Sequence, residues 1–315
     1  MKRRWWILVA VVALALTTAT LVVARSLSGP STAGDPAGST QPVPPHRHPV
    51  FAVKIDDVPE ARPQTGLGAA DVVYVEPVEG GLTRLIVVYF SAAPALAGPV
   101  RSARATDVQL LSQYGRPTLA YSGAAPEILP ALHAASFVNA SPQEVPDLYF
   151  RDPARPAPHN LYVHAARLPS DDVPPGEETP RYGPVPPAGV PASGYAIGYG
   201  AARFEFGWSA STARWTVSLD GSPVTSTESG AVTAATVVEQ RVTVRYGEPG
   251  EYGTVSGSPI ATTIGTGPAT VLRDGLRFAA SWTRATPDSP TRFHTTAGTP
   301  LPFAAGPLWI LLVPA

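Results

Sequence analysis

Four arginines, one serine and a group of carboxylates carry the chemistry this chain could do. Arg84 follows Glu79-Gly80-Gly81-Leu82-Thr83. Arg101-Ser102-Ala103-Arg104 follows a Gly98-Pro99 turn, and Arg62 lies upstream of both. A guanidinium is a planar fork of donors that grips phosphate or carboxylate through two parallel bonds. Converging on one point, Arg62, Arg84, Arg101 and Arg104 would hold a phosphate or pyrophosphate. Ser102 reads as the N-cap of a helix, whose first amides would add donors. Two arginines at a helix start oppose the positive end of the macrodipole, so they call for an anion. That anion is either a ligand or one of the protein's own acids. Asp56, Asp57, Asp71, Glu79 and Asp107 are numerous enough to pair the arginines internally, and both arrangements stay open. Asp56, Asp71, Glu79 and Asp107 are the supporting acids.

His159 and Asn160 are secondary candidates. An imidazole beside a Pro-rich loop could move a proton, or it could anchor the loop. Asp56, Asp57, Asp71, Glu76 and Glu79 could hold a hard cation together with a phosphate, but their spacing matches no metal loop. His46 and His48 have no third ligand nearby, so no metal and no cofactor are expected. Ser102 as a nucleophile lacks a G-x-S-x-G setting. Trp208, Trp215, Trp282 and Trp309 either stack on sugars or form a core, and core is the expected role.

Composition limits the rest. The chain has 315 residues, 44% of them hydrophobic and 15% charged, with a net charge of −1. That balance excludes a nucleic-acid binder, which carries a basic excess. There is no cysteine, so no disulfide, thiolate site or lipid-bearing thiol exists. Lys2 and Lys54 are the only lysines, so arginine at any one position is uninformative and only clustering counts.

The elements that must position these residues follow. Lys2-Arg3-Arg4 precede an apolar stretch at 5–24, long enough to span a bilayer. Residues 1–25 are therefore expected to be a signal-anchor transmembrane helix; secretion after signal cleavage is the alternative. Residues 26–48 read as a Pro/Gly/Ser tether. Residues 49–168 read as an α+β domain with a mixed sheet and few helices. Strands are expected at 50–55, 72–75, 82–90 and 117–121, with a hairpin at Gly80-Gly81 and helices at 103–114 and 126–135. Residues 169–194 are a linker or long loop. Residues 195–315 read as a small all-β domain, with a hairpin at Arg273-Asp274-Gly275 and a closing strand at 309–313.

At these motifs the chain resembles a known family. Ile55-Asp56-Asp57, Ala61-Arg62-Pro63-Gln64-Thr65-Gly66-Leu67 and Ala70-Asp71-Val72-Val73-Tyr74 form one part. Val78-Glu79-Gly80-Gly81-Leu82-Thr83-Arg84 and Gly98-Pro99-Val100-Arg101-Ser102-Ala103-Arg104 form the other. Both are similar to the YerB-like bacterial extracytoplasmic proteins, a family of unknown function. Residues 195–315 resemble that family's smaller β domain through Gly265, Gly267, Asp274-Gly275, Trp282, Arg284, Thr291, Phe293 and Trp309. The resemblance implies a lipoprotein or membrane-anchored protein outside the cytoplasmic membrane, and it implies no activity. Two departures stand out. The lipid-bearing cysteine is missing, and Val75 stands where relatives carry a glutamate, with Glu76 next to it.

The expected function is non-enzymatic: a membrane-anchored extracytoplasmic protein that binds an anionic envelope ligand or a partner of the cell-wall machinery. The alternative is an enzyme acting on phosphate-linked cell-wall precursors. The expected partners are the cytoplasmic membrane, through residues 5–24, and a cell-wall precursor or envelope protein.

Overall fold

The strand at the C-terminal end of the chain sits in the middle of the molecule. The computed structural model describes residues 49–171, 180–247 and 257–315. The first segment contributes β1 (Phe51–Ile55), β2 (Val72–Pro77), β3 (Thr83–Tyr89), β4 (Thr118–Ala120), β5 (Val138–Asn139), β6 (Tyr149–Arg151) and β7 (Leu161–Val163). Then come β8 (Val190–Pro191), β9 (Gly194–Gly198), β10 (Arg203–Ser209), β11 (Arg214–Leu219), β12 (Ser222–Pro223), β13 (Thr225–Ser226), β14 (Gly230–Ala231) and β15 (Thr233–Ala234). The rest are β16 (Thr236–Val242), β17 (Val244–Tyr246), β18 (Pro259–Ala261), β19 (Gly265–Arg273), β20 (Leu276–Arg284), β21 (Arg292–Thr295) and β22 (Leu308–Pro314).

One large sheet runs β21-β20-β19-β16-β22-β2-β3-β1-β4-β5. β22 lies parallel to both β16 and β2, and so joins strands from the two ends of the chain. Its sequence, Leu-Trp-Ile-Leu-Leu-Val, is buried on both faces, as expected of a strand covered on both sides. One face packs under a second sheet, β12-β11-β10-β9 with β15 beside β11. There Val73, Val75, Leu85 and Val87 meet Phe204, Phe206, Trp215 and Trp309. On the other face Tyr74, Ile86 and Val88 pack with Leu110, Leu111 and Leu132. Those leucines come from α1 (Ala105–Leu111) and α2 (Leu129–Ala134).

The fold class differs from the expectation. The protein is mostly β, and α1 and α2 have seven and six residues. β9–β12 and β15 form the second sheet, but β16 and β19–β22 do not; they extend the sheet begun by β1–β3. Periodicity reports which faces are buried, but it does not report which distant strand lies alongside. Residues 236–246 divide into β16 in the main sheet and β17, which pairs with β18. The transmembrane helix expected in residues 1–25 and the tether with His46 and His48 lie outside the described residues. Among the described residues no helix is long and apolar enough to cross a membrane. The described part of 169–194 packs on the C-terminal strands. Gly183 N–H donates to Phe303 O at 3.0 Å, and β8 pairs with β20.

Both expected hairpins form. β2 and β3 are antiparallel and turn through Glu79–Gly81, with Gly80 and Gly81 at φ 71° and 73°. β19 and β20 turn at Asp274 and Gly275, with φ 52° and 71°, the left-handed pair of a tight hairpin turn. The helix expected at 103–114 is shorter. Its N-cap is Arg104 rather than Ser102, and a 3-10 turn, Ser112–Tyr114, completes it. Asp107, at the third helical position, accepts the Arg104 backbone N–H at 2.8 Å, the third-position half of a capping box. Arg101 and Arg104 are therefore not in a helical first turn, and the macrodipole argument for an anion there falls.

Candidate functional site

The two-residue period of three neighbouring strands puts one set of charges on one face. On that face β1 carries Ala52 and Lys54 and leads on to Asp56. β2 carries Val72, Tyr74 and Glu76. β3 carries Arg84, Ile86 and Val88. Lys54 faces Ile86 and Glu76 faces Arg84 across the ladders. The apolar end of this face enters the core under α1, and the charged end lies toward the Glu79–Gly81 turn.

Lys54 is the centre of the inner group. Its ammonium pairs with Glu76, and with Asp107 Oδ1 at 3.0 Å, and all three side chains are fully buried. Burial and the nearby Asp107 push the Glu76 carboxyl up, and Lys54 opposes them. Val75, by contrast, lies in the apolar core on the other face. Lys54 was not a candidate from sequence, yet one signal was present. It is the only lysine beyond the N-terminal flank in a chain that otherwise uses arginine. Its ammonium is a compact point charge with three donors, and two of the carboxylates around it accept from it.

Asp56 is the centre of the outer group. Arg101 Nε lies 2.9 Å from Asp56 Oδ2, His159 Nδ1 lies 2.7 Å from the same oxygen, and Arg84 Nη1 lies 3.2 Å from Oδ1. Arg84 also approaches Asp57 Oδ1 at 3.6 Å. Asp57 accepts the Thr83 hydroxyl, and burial pushes its carboxyl up to about 6 against the pull of Thr83 and Arg84. Residues 98–101 place Arg101 by running alongside the end of β1. Asp56 N–H donates to Pro99 O and Arg101 N–H to Lys54 O, each at 2.9 Å.

The other predicted residues divide. Arg104 grips Glu79 through Nε (3.0 Å) and Nη2 (2.7 Å), and Ser258 Oγ donates to Glu79 at 2.7 Å. Burial would raise Glu79, but these bonds outweigh it and hold the carboxyl near about 2. Arg62 pairs with Asp220 at 2.9 Å and donates to Asp57 O at 2.8 Å. Asp71 is not among them; it caps the end of β3 by accepting the Phe90 and Ser91 amides at 2.7 and 2.8 Å. Asn160 braces its loop by accepting from Arg151 Nη1 at 2.7 Å. The structure brings Arg84, Arg101 and His159 onto one carboxylate, and it holds Arg104 and Arg62 on acids of their own. Trp215, Trp282 and Trp309 are buried in the core.

Arg101 differs from Arg62 and Arg104, whose guanidinium nitrogens are all bonded, and from Arg84, which is buried on Asp56 and Asp57. Among the described residues its Nη1 and Nη2 have no protein partner, and it shares its one carboxylate with Arg84 and His159. Burial lowers its pKa, Asp56 opposes that, and the like charges of Arg84 and Arg104 add to the lowering. Ser102, half-buried beside it, makes no side-chain hydrogen bond among the described residues. Among these residues no group of three His, Asp or Glu side chains is arranged to hold a metal ion.

Two family models match the chain. The N-terminal domain of a protein of unknown function (DUF3048) covers residues 36–172, and the C-terminal domain of the same family covers 195–310. The putative lipoprotein YerB of Bacillus subtilis (strain 168) is 35% identical over 119 residues. That alignment spans 37% of this chain and 35% of the relative's length, about a third of each. A crystal structure of the YerB protein from Bacillus subtilis matches with a TM-score of 0.72 at 21% identity, covering 86% of this chain and 92% of that chain. At that identity the likeness shows the fold.

Proposed function

The chain belongs to the DUF3048 family of proteins of unknown function, and on that premise we propose that it is an extracytoplasmic, envelope-associated binding protein. Its Arg101 meets the anionic group of an envelope ligand, with Ser102 and the outward nitrogen of His159 beside it. One observation carries this reading: the half-buried Arg101 guanidinium shares its carboxylate with Arg84 and His159 through an ion pair in which Nε makes no aligned hydrogen bond, and among the described residues its terminal nitrogens have no protein partner. The name of the relative, a putative lipoprotein, supports the envelope location. Arg62 and Arg104 serve the fold, because all their guanidinium nitrogens are bonded to the protein, and so does Arg84, buried on Asp56 and Asp57.

The test is thermal unfolding with millimolar sodium pyrophosphate. Wild type is expected to gain several degrees, and Arg101→Gln is expected to lose that gain. No shift in wild type, or an equal shift in Arg101→Gln, overturns the reading.

A second reading rests on the Asp56–His159 pair. A carboxylate on Nδ1 fixes the imidazole and leaves Nε2 to carry a proton. That is the arrangement an enzyme acting on phosphate-linked precursors would need. It requires release of phosphate from a pyrophosphate-ended substrate, lost in His159→Gln. Binding without turnover leaves the first reading standing.

A further inference from the structure

The second sheet ends at β9, which among the described residues pairs with β10 on one side only. Tyr199 N–H donates to Ala202 O at 2.7 Å and Trp208 N–H to Ser193 O at 2.9 Å, flanking the β9–β10 register. In an antiparallel ladder the bonded positions alternate. Residues 195, 197 and 199 therefore bond to β10, and the N–H and C=O groups of Ala196 and Gly198 point the other way.

A cleft of about 430 Å³ runs along that side. Consecutive residues from Tyr195 to Gly200 line it. A cleft over a strand's face would meet alternate residues, so this one follows the backbone edge. Val244 and Tyr246 of β17 also line it, and Tyr246 is 68% exposed. Pro77 and Pro314 add apolar lining. The charged lining residues, Glu239 and Arg241, are paired with each other, and Tyr195 OH donates to Glu239. The cleft thus offers no net charge, in contrast to the surroundings of Arg101.

We propose that this cleft captures an uncharged, extended peptide segment of a partner protein, which adds a strand to the outward edge of β9. The outward groups of Ala196 and Gly198 require a ligand presenting donors and acceptors at the strand repeat, which a polypeptide backbone does. Alternate apolar side chains of that peptide pack on Val244, Tyr246 and the prolines. The paired charges favour a neutral occupant over a polyanion. The site is separate from Arg101 and does not depend on the proposal made there.

The test uses an acetylated, amidated Thr-Val-Thr-Val-Thr peptide, titrated into the full chain and followed by backbone amide NMR and hydrogen exchange. The Ala196 and Gly198 amides are expected to shift and to exchange at least tenfold more slowly. Ala196→Pro removes an outward donor without touching a β9–β10 bond, and is expected to weaken binding at least tenfold. Tyr246→Ala, at an exposed position, keeps the test valid if the proline variant fails to fold, and is expected to weaken binding severalfold. Unchanged Ala196 and Gly198 amides at millimolar peptide would overturn the proposal, as would binding equal to wild type in the variant that folds. So would protection of this edge by self-association of the chain alone, or by a neutral N-acetylglucosamine oligomer in place of the peptide.

Discussion

Lys54 sits in an apolar strand, yet two buried carboxylates depend on it. Removing one partner of a buried ion pair leaves an uncompensated charge, which costs about 3–5 kcal/mol. Lys54→Met is therefore expected to lower unfolding stability by that amount in urea titrations; a loss under about 1 kcal/mol would contradict the arrangement. Asp57 gives a pH dependence of definite sign. Its folded pKa of about 6 exceeds the ordinary 3.8, so the folded protein holds this proton more tightly than the unfolded chain. The stabilisation is fully present below the ordinary value and is lost as pH rises through about 6. A shift of about two units corresponds to on the order of 3 kcal/mol. Glu79 works in the opposite sense, losing its contribution as pH falls from the ordinary range toward about 2. Wild type is expected to gain stability between about pH 6 and pH 4, with the raised Glu76 contributing in the same direction, and Asp57→Asn to gain measurably less. Equal slopes for the two proteins would rule this out.

At the scale of elements, the turns were legible and the helix start was not. Gly80-Gly81 and Asp274-Gly275 supply the left-handed backbone that tight hairpins need, and both turns fall where the residues place them. Ser102 looked like a cap because serine usually caps. Asp107, three residues after Arg104, decided the start instead. The acid at the third helical position was the better signal. The β19–β20 pair gives a further check. A methyl added at Gly267 would meet Trp282 Nε1 at 2.6 Å and Arg241 O at 2.8 Å. Those two atoms share a hydrogen bond of 2.7 Å. Gly267→Ala is expected to cost about 1–3 kcal/mol, with a shift in tryptophan emission. A neutral outcome would mean that β19 and β20 are not held against β16 in this way.

At the scale of the molecule, buried faces could be read from residue patterns, but neighbours in the sheet could not. Asp56, Arg84, Arg101 and His159 were singled out in the sequence, but the buried Lys54 between Glu76 and Asp107 was not, because strand neighbours are not written in it. Nor was the placement of β22 between β2 and β16, because an all-apolar strand specifies burial without naming a partner. One sheet through both segments has a consequence. The described tryptophans all lie after residue 195, so their fluorescence reports the C-terminal strands. Unfolding followed by that fluorescence and by far-UV circular dichroism is expected to coincide as one transition. Two separated transitions would contradict a shared sheet. The central claim is that Arg101, the more exposed of the two arginines on Asp56, has guanidinium nitrogens left for a ligand. Arginine side-chain NMR during a pyrophosphate titration measures this directly. The Arg101 guanidinium signals are expected to move and saturate, while those of Arg62, Arg84 and Arg104 stay in place. No movement at Arg101, or equal movement at all four, would contradict the account.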